Sequence, residues 1–480
     1  MNNIGEFLVG KTDKYAFHTF AEITKGYRTE RYTFFEINRF SQQVAAYLQK
    51  QNIIKGDRIV LWGSNSPEWV ICFFGALRCG VVAVPIDARI SYETAKKYIY
   101  QTKPKLLFIS KQISFPKDGQ KRPIIFLEEI KTQITFLTPI KDAVVEPNDL
   151  AEIIFTSGTT GSPKGVMLTH KNILTSIAAF YQSFVITPEF KLLSILPLSH
   201  IYEQIVGLFL PIQGGASVVY LIRVNSTTIM KAFRRHHITA ILVVPRILHL
   251  LLEKISQQAE KQHLGDQFNA LMGLSHFIPS RSIRSLLFLP VHRQFGRNLQ
   301  IFVSGAAPLE ENTGKAWERM GFTVYQGYGS TETTALTAIN LTGGSRLAYA
   351  GKAAPQTEII IAKDGEVLVK GPAVFPGYWR DEAKTRQQFQ KNWYKTGDIG
   401  YLDQDDWLYL YGREKFRIVL PDGSKVYPED IERKLNSNPK INDSCVLGLE
   451  EQGEKMVHAV LLTDFPQEAH SIITQVNKSL

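Results

Sequence analysis

Residues 156–165 carry the strongest chemical signal in the sequence. They read Thr-Ser-Gly-Thr-Thr-Gly-Ser-Pro-Lys-Gly and combine three glycines, five hydroxyl side chains and one lysine. Glycines let a backbone approach a polyanion closely, hydroxyls donate to phosphate oxygens, and Lys164 supplies a point charge. The spacing is not that of a Walker A loop, which needs glycine where this chain has Pro163. We therefore expect a phosphate-binding loop here; the alternative is a Ser/Thr/Gly-rich surface turn.

Three later segments have side chains that suit a bound nucleotide. Ser-Gly-Ala-Ala-Pro at 304–308 could leave a flat slot for an aromatic base. Residues 325–333, Tyr-Gln-Gly-Tyr-Gly-Ser-Thr-Glu-Thr, offer the ring of Tyr328 and the carboxylate of Glu332. Mg²⁺ binds through one or two such carboxylates plus phosphate oxygens. Asp398, after a glycine turn, could accept from both ribose hydroxyls. Taken separately, residues 325–333 could be a tight turn with a helix N-cap, and Asp398 a turn or capping residue.

Apolar runs bounded by turn residues predict the elements that must position these segments. Buried strands are predicted at 58–63, 81–85, 105–110, 124–127, 192–196, 218–222 and 240–244, and a helix at 68–79. Further apolar runs at 151–155 and 299–303 lead into the glycine-rich loop and into residues 304–308. Such alternation is typical of parallel sheets covered by helices. From Glu366 onward, short strands with Gly, Pro and Asp turns predict a compact β-rich segment, with a boundary near Gly412.

Composition restricts the class of protein. The chain has 480 residues, of which 44% are hydrophobic and 21% charged, which is ordinary for a globular protein and too apolar for a disordered one. Three cysteines exclude a disulfide framework and favour a reducing compartment. The first residues lack the apolar core of a secretory signal, and the longest apolar stretch, 69–86, is interrupted by Arg78. We therefore expect a cytoplasmic protein without a membrane-spanning segment.

Positive charge is concentrated in one part of the chain. The formal net charge is +10, and residues 226–300 hold ten basic residues against three acidic ones. The same stretch contains apolar runs, so it could make peripheral contact with an anionic membrane surface, such as the inner membrane, or guide an anionic ligand. The alternative is a solvated helical face over core positions. A nucleic-acid partner is not expected, because no recognised binding module accompanies the charge.

In this order, the segments resemble the adenylate-forming (AMP-binding) superfamily, and within it the chain is most similar to long-chain fatty acyl-CoA synthetases. The likeness extends from Tyr-Thr-Phe at 32–34 to Val-Tyr-Pro-Glu-Asp-Ile-Glu at 426–432, and includes Leu-Pro-Leu-Ser-His-Ile-Tyr-Glu at 196–203. The resemblance implies an α/β fold with a large N-terminal domain, residues 1–411, of helix-covered, mostly parallel sheets plus a β-rich subdomain. A small, shortened α+β C-terminal domain, residues 412–480, would follow.

The resemblance also implies roles for individual residues. Thr156 and the loop after it would hold the β- and γ-phosphates of ATP with help from Lys164, while Thr156 and Glu332 would coordinate Mg²⁺. Thr331 would reach the α-phosphate. The implied nucleotide-binding set is Thr156, Ser157, Gly158, Thr159, Thr160, Gly161, Gly305, Ala306, Ala307, Tyr328, Gly329, Ser330, Asp398 and Arg413.

Within that set the resemblance distinguishes further subsites. Residues 305–307 would line the adenine slot with Tyr328 against the base, and Asp398 and Arg413 would grip the ribose. His200 would lie near the acyl carboxylate and join Lys164, Thr331 and Glu332 as the implied catalytic residues; from the residues alone, a buried, hydrogen-bonded histidine is the favoured interpretation. Lys415 matches the hinge of the family, although Phe416 replaces its usual polar neighbour.

The implied chemistry has two steps. A fatty-acid carboxylate attacks the α-phosphorus of ATP, giving acyl-AMP and pyrophosphate, and the thiol of coenzyme A then displaces AMP. The 480 residues end where relatives begin the region that carries a catalytic lysine, so we expect weakened adenylation or a partner that supplies the missing C-terminal part. The alternatives are a fatty acyl-AMP ligase that serves a carrier protein, and a catalytically impaired nucleotide- or acyl-binding homologue.

Overall fold

The computed structural model describes residues 1–26, 28–115, 122–156, 163–341, 346–436, 438, 440–451 and 454–477. Its strands, in chain order, are β1 (Thr19–Lys25), β2 (Arg28–Thr33), β3 (Arg58–Gly63), β4 (Val82–Asp87), β5 (Leu106–Ile109), β6 (Ile124–Phe126), β7 (Leu150–Thr156), β8 (Lys164–Thr169), β9 (Lys191–Ser194), β10 (Ser217–Tyr220), β11 (Ala240–Val243), β12 (Ile301–Ser304), β13 (Thr323–Tyr328), β14 (Ala338–Asn340), β15 (Lys352–Ala353), β16 (Glu358–Ile361), β17 (Glu366–Lys370), β18 (Phe389–Gln390), β19 (Trp393–Leu402), β20 (Leu408–Arg413), β21 (Ile418–Val419), β22 (Lys425–Val426), β23 (Asp443–Glu451) and β24 (Glu454–Leu462).

The α-helices lie between these strands. They are α1 (Ile4–Tyr15), α2 (Phe34–Lys50), α3 (Pro67–Arg78), α4 (Tyr92–Thr102), α5 (Ile130–Ile134), α6 (His170–Ser183), α7 (Leu210–Gly214), α8 (Ser226–His236), α9 (Pro245–Lys261), α10 (Gly265–Ser275), α11 (Arg281–Leu287), α12 (Leu289–Gln294), α13 (Glu311–Arg319), α14 (Glu382–Gln388), α15 (Pro428–Asn436) and α16 (Ala469–Asn477). A π-helix, Glu203–Phe209, precedes α7.

Two mostly parallel sheets form the large part of the molecule. In the first, the strand order is β15-β14-β13-β12-β11-β9-β10-β1-β2, parallel from β13 to β1 and antiparallel at both ends. In the second, the order is β6-β5-β3-β4-β7-β8, and only the β7–β8 pair is antiparallel. Both contain the predicted strands within a few residues of their expected ends. An antiparallel sheet of β16 to β20 forms the predicted β-rich segment.

Continuous apolar runs explain why the second sheet is buried. Strands β3 and β4 are covered on both faces, so nearly every position is apolar, as in other parallel sheets. Helix α3 between them begins at Pro67 after the N-cap Ser66, whose hydroxyl accepts from the N–H of Trp69 at 3.1 Å. All of its residues are buried. Beyond β3, the Asn65 amide donates to Ser194 Oγ at 2.8 Å, so the carboxyl ends of β3 and β9 meet.

The C-terminal part has its own small core. Strands β21 to β24 and helices α15 and α16 surround buried apolar residues at Ile418, Leu435, Ile441, Val446 and Ile472. The α/β fold with a smaller C-terminal part is therefore confirmed, while the division between residues 411 and 412 stays a prediction. The basic segment 226–300 forms helices α8 to α12 around β11. None of the helices in the described ranges is at once long and apolar enough to cross a bilayer.

Candidate functional site

Three of the predicted site residues, distant in sequence, contact one another at the end of β13. Asp398 on β19 lies directly opposite Arg413 on β20 in the antiparallel register. The Arg413 Nε atom is 2.8 Å from Asp398 Oδ1, and the Tyr328 hydroxyl donates to Asp398 Oδ2 at 2.5 Å. Thr396 Oγ1 accepts from the Asp398 N–H at 3.0 Å. We call Tyr328, Thr396, Asp398 and Arg413 the Asp398 cluster.

Burial controls the electrostatics of the Asp398 cluster. It raises the pKa of the Asp398 carboxyl above its usual value, against the opposing effects of the Arg413 charge and the Tyr328 hydroxyl. Burial also disfavours the Arg413 charge, but Asp398 and the other acidic groups around it together outweigh burial and leave the pKa of Arg413 raised. The pair therefore forms a fixed polar corner with a carboxylate able to accept from further hydroxyl donors.

A cavity of about 230 Å³ opens beside the Asp398 cluster. Small residues form one wall and the Arg413 strand the other, which leaves room for a planar ring. The lining is Ala306, Ala307, Pro308, Leu309, Gln326, Gly327, Tyr328, Gly329, Leu347, Ala348, Tyr349, Ala350, Asp398, Leu410, Gly412, Arg413, Glu429 and Arg433.

Close backbone contacts keep this cavity wall small. A Cβ atom at Gly329 would lie 2.3 Å from the Ala335 carbonyl oxygen, so no larger residue fits there. Ala306 has φ +67°, in the left-handed region that favours glycine, and this strain is held by the surrounding structure. Gly305 lies against the ring of Tyr202, whose hydroxyl donates to the Val303 carbonyl at 3.0 Å. The predicted adenine-slot residues are thus adjacent in space as well as in sequence.

A second group of side chains surrounds Lys164 at the start of β8. Thr156, the last residue of β7, is paired with Lys164 across the antiparallel ladder. The Lys164 Nζ atom lies 5.1 Å from the ring centroid of Tyr378, whose hydroxyl donates to Glu332 Oε1 at 3.0 Å. We call Thr156, Lys164, Glu332 and Tyr378 the Lys164 cluster.

The backbone places Tyr378 beside Lys164. The N–H of Met167 donates to the Gly377 carbonyl at 3.1 Å, and the N–H of Trp379 donates to the Gly165 carbonyl at 2.7 Å. Residues 377–379 therefore run antiparallel to β8, with an isolated bridge between Tyr378 and Val166. Tyr378 is a site residue that the sequence motifs missed; its only signal is the Pro-Gly-Tyr-Trp turn within the β-rich segment.

Glu332 connects the two clusters electrostatically. Burial and the neighbouring Lys384 lower the pKa of Lys164, and Glu332 opposes that lowering. The charge of Glu332 also contributes to the raised pKa of Arg413. One carboxylate with a threonine hydroxyl is too small a ligand set to hold Mg²⁺ alone, but it suits a Mg²⁺ ion bound mainly by phosphate oxygens. Ser157, Gly158, Thr159, Thr160 and Gly161, the predicted phosphate-loop residues, lie outside the described residues.

The Tyr328–Thr333 segment forms a tight turn that presents two of the predicted residues. Thr331 and Glu332 begin a single 3₁₀ turn, and the Ser330 N–H donates to Thr333 Oγ1 at 2.9 Å. The capped turn that the residue types alone allow is thus present, while the roles of Thr331 and Glu332 toward a nucleotide stay predictions. Lys415, the predicted hinge residue, lies in another 3₁₀ turn with its Nζ atom 4.4 Å from the ring centroid of Phe416.

His200 differs from the expectation based on its residue type alone. Its side chain is 57% exposed rather than buried, and its Nε2 atom lies 3.6 Å from Asp87 Oδ2. Asp87 ends β4 and also pairs with Arg89 at 2.6 Å. Burial opposes ionisation of Asp87, but the nearby His200 imidazole and the hydrogen bonds from Arg89 together outweigh burial and place the pKa of Asp87 well below its usual range. An exposed imidazole held by a carboxylate can meet an incoming anion.

Comparison with known proteins identifies the family. The model of the family described as AMP-binding enzyme matches residues 9–379. The chain belongs to this family. Two kinds of curated relative resemble this AMP-binding enzyme. A long-chain-fatty-acid–CoA ligase of Mycobacterium bovis is 29% identical over 434 residues, covering 82% of this chain and 71% of the relative. A 2-succinylbenzoate–CoA ligase of Bacillus subtilis is 29% identical over 460 residues, covering 92% and 85%.

A solved structure agrees with the family assignment. The o-succinylbenzoate CoA synthetase of Bacillus subtilis, bound to its acyl-adenylate intermediate, has a TM-score of 0.80 and 25% identity, and the match covers 100% of this chain and 92% of that one. The AMP-binding enzyme described here is accordingly an adenylate-forming ligase. Its relatives differ in the acid that they activate.

The AMP-binding enzyme has two further site residues that its motifs did not single out. Glu429 Oε1 accepts from the Arg413 N–H at 3.4 Å, and a Cβ at Gly412 would lie 2.4 Å from Glu429 Oε2. Arg433 on the same helix donates to the Leu410 carbonyl at 2.9 Å. Helix α15 therefore closes the cavity from the C-terminal side. Glu429 lies in the Tyr-Pro-Glu-Asp-Ile-Glu motif, which had supported only the family resemblance, and Arg433 directly follows that motif.

Proposed function

We propose that the enzyme activates a long-chain fatty acid with ATP to acyl-AMP and pyrophosphate, and then transfers the acyl group to coenzyme A. The observation that carries the choice of acid is a second, apolar cavity next to the first. The two cavities share Gln326 and Gly327 on β13. An acid with its carboxylate near the nucleotide could thus extend its chain into the apolar cavity.

The lining of this second cavity favours an alkyl chain over a second carboxylate. It has no charged side chain in the described part of the chain: Phe180, Phe184, Tyr202, Val206, Leu210, Val303, Tyr325, Gln326, Gly327, Ile339 and Leu341. The cavity measures about 20 Å³, so a chain must displace flexible side chains such as Leu210 and Phe184 to enter. Alkyl groups gain free energy from such burial, whereas a buried carboxylate without a partner loses much more. Succinylbenzoate carries such a second carboxylate.

In this proposal the Asp398 cluster binds the nucleoside. Adenine occupies the 230 Å³ cavity against Ala306, Ala307 and Tyr328, and the ribose hydroxyls donate to Asp398, which Arg413 holds in place. These contacts do not change during the reaction. Their contribution is to fix the α-phosphorus in position, which lowers the entropic part of the barrier.

The Lys164 cluster acts on the phosphates. Lys164 neutralises negative charge that accumulates as pyrophosphate departs, and Thr331 donates to the α-phosphate. Thr156 and Glu332 would hold Mg²⁺, which supplies Lewis-acid neutralisation of the phosphate oxygens when bound. His200, whose Nε2 atom lies 3.6 Å from Asp87 Oδ2, would meet the acid carboxylate. A positioned charge such as that of Lys164 contributes about two to three orders of magnitude in rate.

Mass spectrometry of the products tests the proposal. The purified protein is incubated with ATP and Mg²⁺ and with either a fatty-acid series or 2-succinylbenzoate, with and without coenzyme A; Lys164→Ala is the negative control. Acyl-AMP that converts to acyl-CoA with fatty acids is the expected result. Turnover of 2-succinylbenzoate but of no fatty acid would contradict the proposed acid substrate. Acyl-AMP that accumulates in the presence of coenzyme A would favour a carrier protein as the acyl acceptor. ATP binding without any adenylate would identify a non-catalytic homologue.

We also propose peripheral contact between the basic helices and an anionic membrane surface. Large apolar side chains on and beside α10 and α11 are exposed: Leu274 at 53%, Phe277 at 79%, Ile283 at 51% and Leu286 at 70%. The segment around them carries the excess of basic over acidic residues noted in the sequence. Apolar side chains that insert among basic neighbours are the combination that holds anionic bilayers.

Vesicle sedimentation tests this contact. We expect binding to vesicles containing anionic lipid, weaker binding at high salt, and loss of binding for the double variant Phe277→Ser/Leu286→Ser. Phe136→Ser serves as the control, since Phe136 is 96% exposed in another part of the molecule. Equal binding to neutral vesicles at any salt concentration would contradict the electrostatic part of the proposal.

A further inference from the structure

Buried polar side chains surround the π-helix that forms one wall of the apolar cavity. This helix, Glu203–Phe209, follows directly after His200 and Tyr202. Val206 and Leu210 line the apolar cavity, and Tyr202 supports Gly305 in the adenine slot. A π-helix is rare and is frequently found at functional sites. The side chains that hold this helix in place therefore influence the shape of both cavities.

Glu203 fixes the start of the π-helix to the end of β9. Its carboxyl group is fully buried, and its Oε1 atom accepts from the Ser194 hydroxyl at 2.5 Å. Ser194 in turn accepts from the Asn65 amide at 2.8 Å, so the contact extends to the other sheet. One turn later, Gly207 lies against the same carboxyl group, and a Cβ there would be 2.6 Å from Glu203 Oε1. Glycine here leaves the carboxyl group in place, whereas a methyl group would have to displace it.

Gln204 makes a parallel connection to the strand that leads into the phosphate loop. Its Nε2 atom donates to Glu152 Oε2 on β7 at 3.0 Å and to the Leu198 carbonyl at 2.9 Å. The Gln204 N–H donates to the His200 carbonyl at 3.2 Å. Glu152 is fully buried as well. The π-helix is thus held between both sheets through side chains rather than backbone ladders.

The protonation state of these carboxyl groups follows from their surroundings. Burial raises the pKa of Glu203 to about 8, against the bonds from Ser194 and the Leu196 backbone. Burial raises the pKa of Glu152 to about 8 as well. The other titratable groups facing Glu203 are the phenols of Tyr202 and Tyr220, whose pKa values rise with burial and with the Glu203 charge. Among the described residues, no lysine or arginine forms an ion pair with Glu203 or Glu152.

We infer that Glu203 is a positioning residue for the acid substrate: through Ser194 and Gly207 it holds the π-helix whose far side forms the wall of the apolar cavity. The inference rests on the proposed function, because it places the acyl chain in that cavity. Glu203 does not touch the reacting atoms. Its loss should therefore weaken the use of the fatty acid more than the use of ATP.

A double-mutant cycle tests the contact between Glu203 and Gly207. Gly207→Ala should push the carboxyl group away, and Glu203→Ala should release the helix, each raising the KM for the fatty acid about tenfold, the effect of one lost buried hydrogen bond. In the double variant the methyl group at 207 meets no carboxyl group, so the KM should stay about tenfold above wild type, as in Glu203→Ala alone. The KM for ATP should change less than about twofold throughout. Additive losses, or equal losses in both KM values, would overturn the inference.

Glu203→Gln supplies the isosteric control. Its amide keeps the shape and the acceptor oxygen of a protonated carboxyl group, so kcat/KM at pH 7 should stay within about twofold of wild type. As pH rises through about 8, wild type should lose affinity for the fatty acid as Glu203 ionises, whereas the glutamine variant should lose less. The same decline in both proteins would show that another group titrates and would overturn the role of Glu203.

Amide hydrogen exchange without substrate separates this inference from the proposed function. Residues 202–210 should exchange faster in Glu203→Ala and in Gly207→Ala, and at the wild-type rate in Glu203→Gln. If the protein activated no fatty acid, the proposed function would fail, yet the exchange rates would still decide the positioning role. Unchanged exchange in both alanine variants would overturn it.

Discussion

The Asp398 cluster and the Lys164 cluster lie at two ends of one site and are held in different ways. Asp398 is 7% exposed, and it bonds to Arg413 on the neighbouring strand β20, to Tyr328 at the end of β13 and to Thr396 on its own strand. Lys164 makes no ion pair with any carboxylate in the described ranges and rests on the ring of Tyr378. The first cluster satisfies its own charges, whereas the second leaves a positive charge unpaired.

The difference matches what each end would bind. A nucleoside is uncharged, so the side chains that recognise it can be fully hydrogen-bonded to one another before it binds. Such a cluster loses little free energy when binding removes its solvent. A triphosphate brings several negative charges, and a lysine already paired with a carboxylate could not neutralise them. The preformed Asp398 cluster therefore suits the nucleoside, and the unpaired charge of Lys164 suits the phosphates of the same nucleotide.

Lys164→Ala should have the largest effect. Loss of the charge that faces the phosphates should lower the rate of acyl-AMP formation about 10²- to 10³-fold. Because Lys164 is unpaired, the free energy of unfolding should change by less than about 0.5 kcal/mol. Single-turnover mass spectrometry and urea denaturation measure the two quantities. Lys315→Ala, which breaks a surface pair with Glu311, is the control, and a large loss of stability in Lys164→Ala would contradict the contrast.

Asp398→Ala should show the opposite profile. Tyr328 and Arg413 would lose their shared partner, so the protein should lose about 1–3 kcal/mol of stability, and ATP should bind about tenfold more weakly. Isothermal titration with ATP and urea denaturation measure both. Asp405→Asn, at an exposed pair with Arg346, should change neither. An Asp398→Ala protein of wild-type stability would show that the Asp398 cluster is not preformed.

The pH dependence of stability should reveal the buried carboxyl group beneath the phosphate end. Burial raises the pKa of Glu152 to about 8 from 4.5, so the folded state keeps a proton that the unfolded state releases between these pH values. The stability of wild type should therefore fall as pH rises from about 4.5 to about 8 and then level off, while Glu152→Gln lacks this contribution. The difference in Tm between the two proteins should change over that window by about 1 °C for each kcal/mol, because the entropy of unfolding scales with the length of the chain.

Thermal unfolding at several pH values measures that difference. Glu358→Gln, which changes an exposed carboxylate on β16, should follow wild type. A constant difference between Glu152→Gln and wild type would mean that Glu152 is ionised in the folded protein.

Tyr378→Phe should have the smallest effect. It removes the hydroxyl that donates to Glu332 and keeps the ring beneath Lys164, so kcat should fall about two- to fivefold, the effect of one partly exposed hydrogen bond. Tyr378→Leu, which removes the ring as well, should lose more. Steady-state kinetics measure both variants. Equal losses would show that the ring does not help to place Lys164.

Local chemistry in the sequence was enough to predict much of the fold. Apolar runs such as 58–63 and 240–244 predicted the buried strands, because a strand covered on both faces must be apolar throughout. Tyr328, Asp398 and Arg413 were identified through motifs that match a family. The residue types alone left turn and capping roles open for residues 325–333 and for Asp398, because a carboxylate that follows a glycine can bind a ligand or stabilise a turn.

Only the tertiary structure decided which of these residues meet. Asp398 and Arg413 are neighbours because of strand register, and Tyr378 reaches Glu332 because residues 377–379 run beside β8. The burial of Glu203 and Glu152, and with it their raised pKa values, depends on two sheets packing around a π-helix. A sequence fixes residue types and local periodicity, whereas burial, register and the pairing of charges arise from contacts between distant segments.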